Sequence, residues 1–269
     1  MPSASVTDHP VLRRERPLVF AHRGGAKLRP ENTFDAFEHG LSLGADGLEF
    51  DVHLSRDGEV VVIHDATLDR TTNGAGHVRD HTASELSSLD AGFRFAEDHG
   101  YPFRARDVRI PLLREVLDRY RGVPIIIELK GRDPELARAA VAVAAEADAF
   151  GHVCFGGFNI DTLRAAREAG APVTGAATDE IRQALTLSRI GLPPVRPSYR
   201  AVQVPEHSGA TQVVTSRFVR ALHRGGLPVY VWTVDAPDDM HRLLGFGVDG
   251  IISDRPDVAV DVVRRWRRT

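Results

Sequence analysis

Two short strings carry paired charges at a spacing suited to chemistry: Glu49-Phe50-Asp51 and Glu128-Leu129-Lys130. In an extended strand residues two apart share a face, so each pair points its charged groups the same way. Carboxylates crowded together repel one another unless a cation sits among them. An oxygen-only set of Glu49, Asp51 and Glu128 therefore reads as the seat of one divalent cation, Mg2+ or Ca2+ with Mn2+ also admissible, rather than Zn2+. Three carboxylates and a divalent ion leave a charge of about −1, so an anionic substrate also needs the positive side chains of Arg23 and Lys130. His22 and His64 titrate near neutrality: one imidazole can deprotonate a nucleophile while the other protonates a departing alkoxide. Cleavage of a phosphodiester, with the metal offsetting charge on the phosphoryl oxygens, uses every one of these groups. His53, next on the face of Glu49 and Asp51, reads as a hydrogen-bonded histidine of the sheet.

The elements that must hold these residues are legible as β-rich runs alternating with amphipathic segments. The pattern predicts strands over residues 17–22, 47–54, 124–129, 152–158, 172–177, 201–204, 228–234 and 250–253, with 60–64 folding back on 47–54 as a hairpin around Arg56-Asp57-Gly58. Helices are expected over 33–43, 112–120, 134–149, 161–169, 179–190, 216–224, 237–246 and 256–268. Eight alternating pairs predict a (β/α)8 TIM barrel, whose usual length is about 250 residues and whose active site lies at the strands' C-terminal ends. A doubly wound open sheet is the lesser fit, because the first strand ends in Ala21-His22-Arg23-Gly24-Gly25 without the glycine spacing of a dinucleotide turn. Residues 66–110 are polar and too long for an ordinary connection, and read as a small rim insertion after the second strand. The organisation expected is a tail over 1–16 and a barrel domain over 17–269.

Composition sets the outer bounds. The 269 residues are 42% hydrophobic and 26% charged, enough apolar content for one sizeable core. A net charge of −3 excludes a general attraction for nucleic acid. The single cysteine, Cys154, lies in an apolar stretch and reads as a buried core residue. With no apolar run long enough to span a bilayer and no secretory signal pattern, stable membrane insertion is not expected and a cytoplasmic location is.

A family resemblance is carried by His22-Arg23-Gly24, Pro30-Glu31-Asn32-Thr33, Glu49-Phe50-Asp51-Val52, His64-Asp65, Leu68-Asp69-Arg70-Thr71-Thr72, Pro111-Leu112-Leu113-Arg114-Glu115, Glu128-Leu129-Lys130, Trp232-Thr233-Val234 and Ser253-Asp254-Arg255-Pro256. In this order the sequence resembles the glycerophosphodiester phosphodiesterase family. The resemblance implies a barrel that hydrolyses glycerophosphodiesters to glycerol 3-phosphate and an alcohol. By position it makes His22 and His64 the acid/base pair, Glu49, Asp51 and Glu128 the metal ligands, and Arg23 and Lys130 the phosphate contacts, with Trp232 lining the pocket. Asn32 also fits an N-cap for the helix that follows. The chain departs from the family pattern at Phe155-Gly156-Gly157-Phe158 and at Val202-Gln203-Val204-Pro205, both placed to shape a leaving-group pocket. Rival readings are lysophospholipase D-like action on lysophospholipids, for which Phe93, Phe95, Tyr101 and Phe103 could offer an apolar rim, and a non-catalytic barrel that binds phosphate esters.

Overall fold

The computed structural model describes residues 9–266. The chain runs through β1 (Leu18–His22), α1 (Phe34–Ser42), β2 (Gly47–Leu54), β3 (Val60–Val62), α2 (Ala83–Ser87), α3 (Leu113–Arg119), β4 (Ile125–Leu129), α4 (Pro134–Glu146), β5 (Val153–Gly156), α5 (Ile160–Glu168) and α6 (Thr178–Arg189). It continues through β6 (Val202–Pro205), the two-residue strands β7 (His207–Ser208) and β8 (Thr211–Gln212), α7 (Ser216–Arg224), β9 (Val229–Trp232), α8 (Pro237–Phe246), β10 (Gly250–Ser253) and α9 (Pro256–Arg265). Seven parallel strands follow the order β5-β4-β2-β1-β10-β9-β6, and β3 pairs antiparallel with β2 as the expected hairpin.

The fifth expected strand, 172–177, is the one departure from the eight-strand count. Pro172 has no N–H to give and Gly175 has no side chain to pack, so the segment forms only a bridge between Phe155 and Thr174. It still closes the gap: Gly175 donates to the Phe155 carbonyl at 2.8 Å, and Arg200 to that of Thr174 at 2.9 Å. The architecture is a nearly closed parallel barrel ringed by helices.

Strand alternation sorts the barrel into two surfaces. Val19, Ala21, Leu48, Phe50, Val52, Ile125, Ile127, Val229 and Val231 pack outward against the helices. Leu18, Phe20, Ile126, Cys154, Tyr230 and Ile252 fill the lower interior. The inward set continues upward as His22, Glu49, Asp51, Glu128 and Trp232, so the polar residues are the top layers of the same stack whose bottom is apolar. Cys154 is fully buried, and burial pushes its thiol up to about 12, as befits an inert core residue.

The tail expected over 1–16 is tied down from His9 onward; residues 1–8 lie outside the described part. Val11 is fully buried in the interior cluster, and its carbonyl accepts a hydrogen bond from the Tyr230 hydroxyl. The reason is local: a β-branched apolar residue next to the open lower end of the barrel gains more from plugging it than from staying in water.

Residues 66–110 build a satellite core of their own. Leu68, Val78, Ala83, Leu86, Ala91, Val108 and Ile110 cluster with Val61 and Leu112. The four aromatics do not form an apolar rim. Phe95 and Phe103 meet edge-on at 5.5 Å, and Arg104 lies over the rings of Phe93 and Tyr101 at 4.1 and 3.7 Å.

Candidate active site

All eight sequence-predicted site residues come together at the C-terminal mouth of the barrel or its immediate wall. Glu49, Asp51 and Glu128 each offer a carboxylate oxygen, all within 4.8 Å of one another. The parallel register that sets Asp51 opposite Glu128 makes this so. Lys130 reaches across both, 2.9 Å from Asp51 and 2.6 Å from Glu128. Arg23 stands 3.4 Å from Asp51 and 2.9 Å from Glu31. Its backbone lies in the left-handed region at φ 51, a strained conformation for a side-chain-bearing residue. Gly24 follows at φ 85, where an added Cβ would come within 2.6 Å of that of Ala36, so only glycine fits between β1 and α1.

Each histidine is held by its own carboxylate. Nδ1 of His22 lies 2.6 Å from Asp254, and Nδ1 of His64 lies 2.6 Å from Asp65. That leaves Nε2 as the working nitrogen of each ring, and Nε2 of His22 is 3.7 Å from Glu49. The His53 ring bonds the carbonyl of His64 at 3.0 Å, which fixes the backbone behind it.

The electrostatics follow from burial and pairing. Burial pushes the Glu49 carboxyl up to about 8, with Asp51 and Glu128 adding to the rise and His22 opposing it. Glu128 is raised by burial and by Asp51. Asp51 goes the other way: burial works against its charge, but Lys130 and Arg23 outweigh it and lower its pKa. For His22, burial disfavours the cation, yet Glu49 and Asp254 more than compensate and raise its pKa. Asp65 is similarly opposed by burial, while hydrogen bonds from Arg70 and His64 hold it at about 2.

These groups open into a cavity of roughly 610 Å³ whose walls include Trp232, Phe158, Gln203 and one face of α6. Both segments that depart from the family pattern line it: Gly156, Gly157 and Phe158 on one side, Gln203, Val204 and Pro205 on another. Trp232 meets Phe158 edge-on at 5.7 Å. No lining residue comes from 66–110.

Several contributors went unassigned in the sequence. Asp65 and Asp254 orient the histidines, and their only signal was adjacency to strand-end motifs. Asn32 is not the helix cap: Thr33 caps α1 by accepting from the Ala36 N–H, and Asn32, itself at φ 59, donates to Asp51 at 3.0 Å instead. Arg70 forks onto both oxygens of Glu31 at 2.7 and 2.8 Å and onto Asp65 at 2.6 Å. Through Glu31 it backs Arg23, and through Asp65 it backs His64.

A mouth this rich in both cations and clustered carboxylates, set on a parallel α/β barrel, defines an enzyme of the phosphate-ester class. Comparison with known proteins narrows it. The model of the glycerophosphoryl diester phosphodiesterase family matches residues 22–258, and the chain belongs to that family. A glycerophosphodiester phosphodiesterase of Caldanaerobacter subterraneus subsp. tengcongensis is 35% identical over 93% of this chain and 99% of its own length. One from Bacillus subtilis is 30% identical over 96% and 90%. Among solved structures, the glycerophosphoryl diester phosphodiesterase domain of a Mycobacterium tuberculosis protein shares the fold at TM-score 0.81 and 24% identity, covering 92% of this chain and 99% of that one. A phosphodiesterase of Oleispira antarctica in complex with its product sn-glycerol-3-phosphate aligns at TM-score 0.74 with 26% identity, over 93% and 97% of the two chains. The protein is accordingly a phosphoric diester hydrolase, which removes the non-catalytic barrel from consideration. No helix among the described residues is long and apolar enough to cross a membrane.

Proposed function

We propose that this barrel hydrolyses glycerophosphodiesters to glycerol 3-phosphate and an alcohol, with His22 and His64 as the acid/base pair and one divalent cation on Glu49, Asp51 and Glu128. The observation that carries the reading is the carboxylate cluster flanked by two histidines, each oriented by its own aspartate. The donor set fits a cation: three carboxylates crowd within 4.8 Å, two of them are buried, and burial alone drives Glu49 toward its neutral form. A bound cation would keep all three ionised. All-oxygen donors favour Mg2+ or Ca2+, with Mn2+ next. When bound, the ion would offset charge growing on the phosphoryl oxygens.

The chain's own residues would do the rest. Arg23 and Lys130, both held in place by carboxylates, present donors to the non-bridging phosphate oxygens. One imidazole Nε2 accepts the proton of the nucleophile and the other gives one to the departing oxygen. Asp65 and Asp254 fix which nitrogen faces the substrate and stabilise whichever ring becomes charged. Trp232 would close one side of the pocket against water. The substrate is a small phosphodiester, in keeping with the product held by the Oleispira relative.

The test is release of glycerol 3-phosphate from glycerophosphocholine by the purified protein, after EDTA and again with Mg2+, Ca2+ or Mn2+ restored. Metal-restored release is expected. His22→Ala and His64→Ala should each lower kcat by about 10²–10⁴-fold, the usual contribution of a proton-transfer group. Full turnover in either variant would sink the two-histidine mechanism, and full turnover in EDTA the metal.

A further inference from the structure

The cavity extends well beyond the phosphate-binding end. One long wall is a face of α6 on which Thr178, Ile181, Leu185 and Arg189 recur at helical spacing. From Thr178 to Arg189 that wall advances about 16 Å at the helical rise per residue. A volume of roughly 610 Å³ is in the range that encloses a drug-sized ligand, whereas glycerol phosphate has only about ten non-hydrogen atoms and fills a fraction of such a pocket.

The chemistry of the extra space is apolar. α6 buries only Ala184 and Ser188, which leaves Ile181 and Leu185 half-buried along the cavity. Phe158, Val213 and Trp232 also line it, and Phe158 keeps 52% of its surface exposed there. The remaining exposed large hydrophobics among the described residues are Ile190, Leu192 and Val195, in the stretch that follows α6 directly. Apolar side chains therefore run on past the open end of the groove. The cavity's only carboxylates are Glu49 and Glu128, at the metal end, so the far part holds no anion to pair a cationic arm.

We propose that this groove takes a hydrocarbon arm, and that the substrates include glycerophosphodiesters still carrying one acyl chain, laid along α6 against Ile181 and Leu185. The inference rests on the phosphodiesterase reading above. The balance of the reaction is unchanged: water adds its oxygen to phosphorus, one P–O bond breaks, and the departing alkoxide takes a proton. A phosphate monoester and an alcohol result, with no co-reactant beyond water.

The experiment measures choline release, with the divalent ion present, from glycerophosphocholine and from monoacyl glycerophosphocholines of increasing chain length. Each is kept below its critical micelle concentration, and wild type is compared with Leu185→Gln and Ile181→Gln. The expected result is a kcat/KM that climbs with chain length, by up to about fourfold per methylene buried, and levels off once the groove is full. Leu185→Gln should lose about tenfold on the longest chain and less than twofold on glycerophosphocholine, a difference that unfolding cannot mimic. A flat or falling dependence on chain length, with glycerophosphocholine turned over normally, would overturn the proposal. So would equal losses on both kinds of substrate in both variants. Turnover of the acylated substrates alone would support the groove and correct the headgroup. Turnover of neither would fail the phosphodiesterase reading itself, and this inference with it.

Discussion

Arg70 shows how much one side chain outside the barrel proper can matter to groups within it. Its planar fork holds Glu31 and Asp65 together, and those two in turn position Arg23 and His64. Lysine could keep the charge but not the fork. Arg70→Met is expected to lower kcat on glycerophosphocholine by about 10–100-fold with KM changed less than threefold, because misplacement of reacting groups costs rate more than binding. Arg70→Lys should restore only part of the loss. An unchanged kcat in Arg70→Met would show that Asp65 and Glu31 hold their places unaided. The role was hidden in the sequence because Arg70 lies 39 positions from Glu31 in a segment whose composition reads only as an insertion. Asn32 was hidden for the opposite reason, since a plausible local use as a cap masked a long-range bond to Asp51.

At the scale of elements, the short turn at Pro10–Leu12 is the clearest departure from expectation. Its N-cap is His9, whose ring nitrogen accepts from the Val11 N–H and so must be unprotonated there. Burial, reinforced by the nearby His152, holds His9 at about 4 against an ordinary value of 6.5. Between those two pH values the unfolded chain binds a proton that the folded one refuses. The stabilisation is therefore complete above pH 6.5 and is lost as pH falls toward 4, by up to about 3 kcal/mol. His9→Asn keeps an acceptor for the cap and removes the titration, so the difference in melting temperature between wild type and variant should narrow or reverse from pH 7 to pH 4.5. Parallel melting curves across that range would show that the segment is not under this control. The fifth expected strand makes a related point: Val173 is apolar and buried as predicted, but the Pro172 and Gly175 that flank it leave only one bridge.

For the molecule as a whole, the carboxylate cluster links stability to ligand. Three like charges at the barrel mouth are neutralised in part by Lys130 and Arg23, and a cation bound only by the folded state would add stability by mass action. At a hundred times its dissociation constant the gain is about 2.7 kcal/mol, which for a domain of this size corresponds to a rise in Tm of roughly 5–10 °C. Mg2+, Ca2+ and Mn2+ should each be titrated against EDTA-treated protein by calorimetry, with Asp51→Asn as the control expected to lose most of the shift. No shift with any of the three ions would argue against a metal at Glu49, Asp51 and Glu128, independently of any activity assay.

The sequence by itself determined what depends on local pattern. The alternation of strand and helix predicts the barrel, the i, i+2 spacing puts Glu49 beside Asp51 on one face, and strand-end placement directs His22, Glu128 and Trp232 toward a common mouth. These survive because periodicity and chain direction are properties of consecutive residues. Tertiary structure alone decided which distant groups meet: Asp254 behind His22, Arg70 across Glu31 and Asp65, Val11 under Tyr230, and the face of α6 along the cavity. Such contacts depend on register between strands far apart in the chain and on how closely helices approach the sheet, and neither is written in the spacing of neighbouring residues.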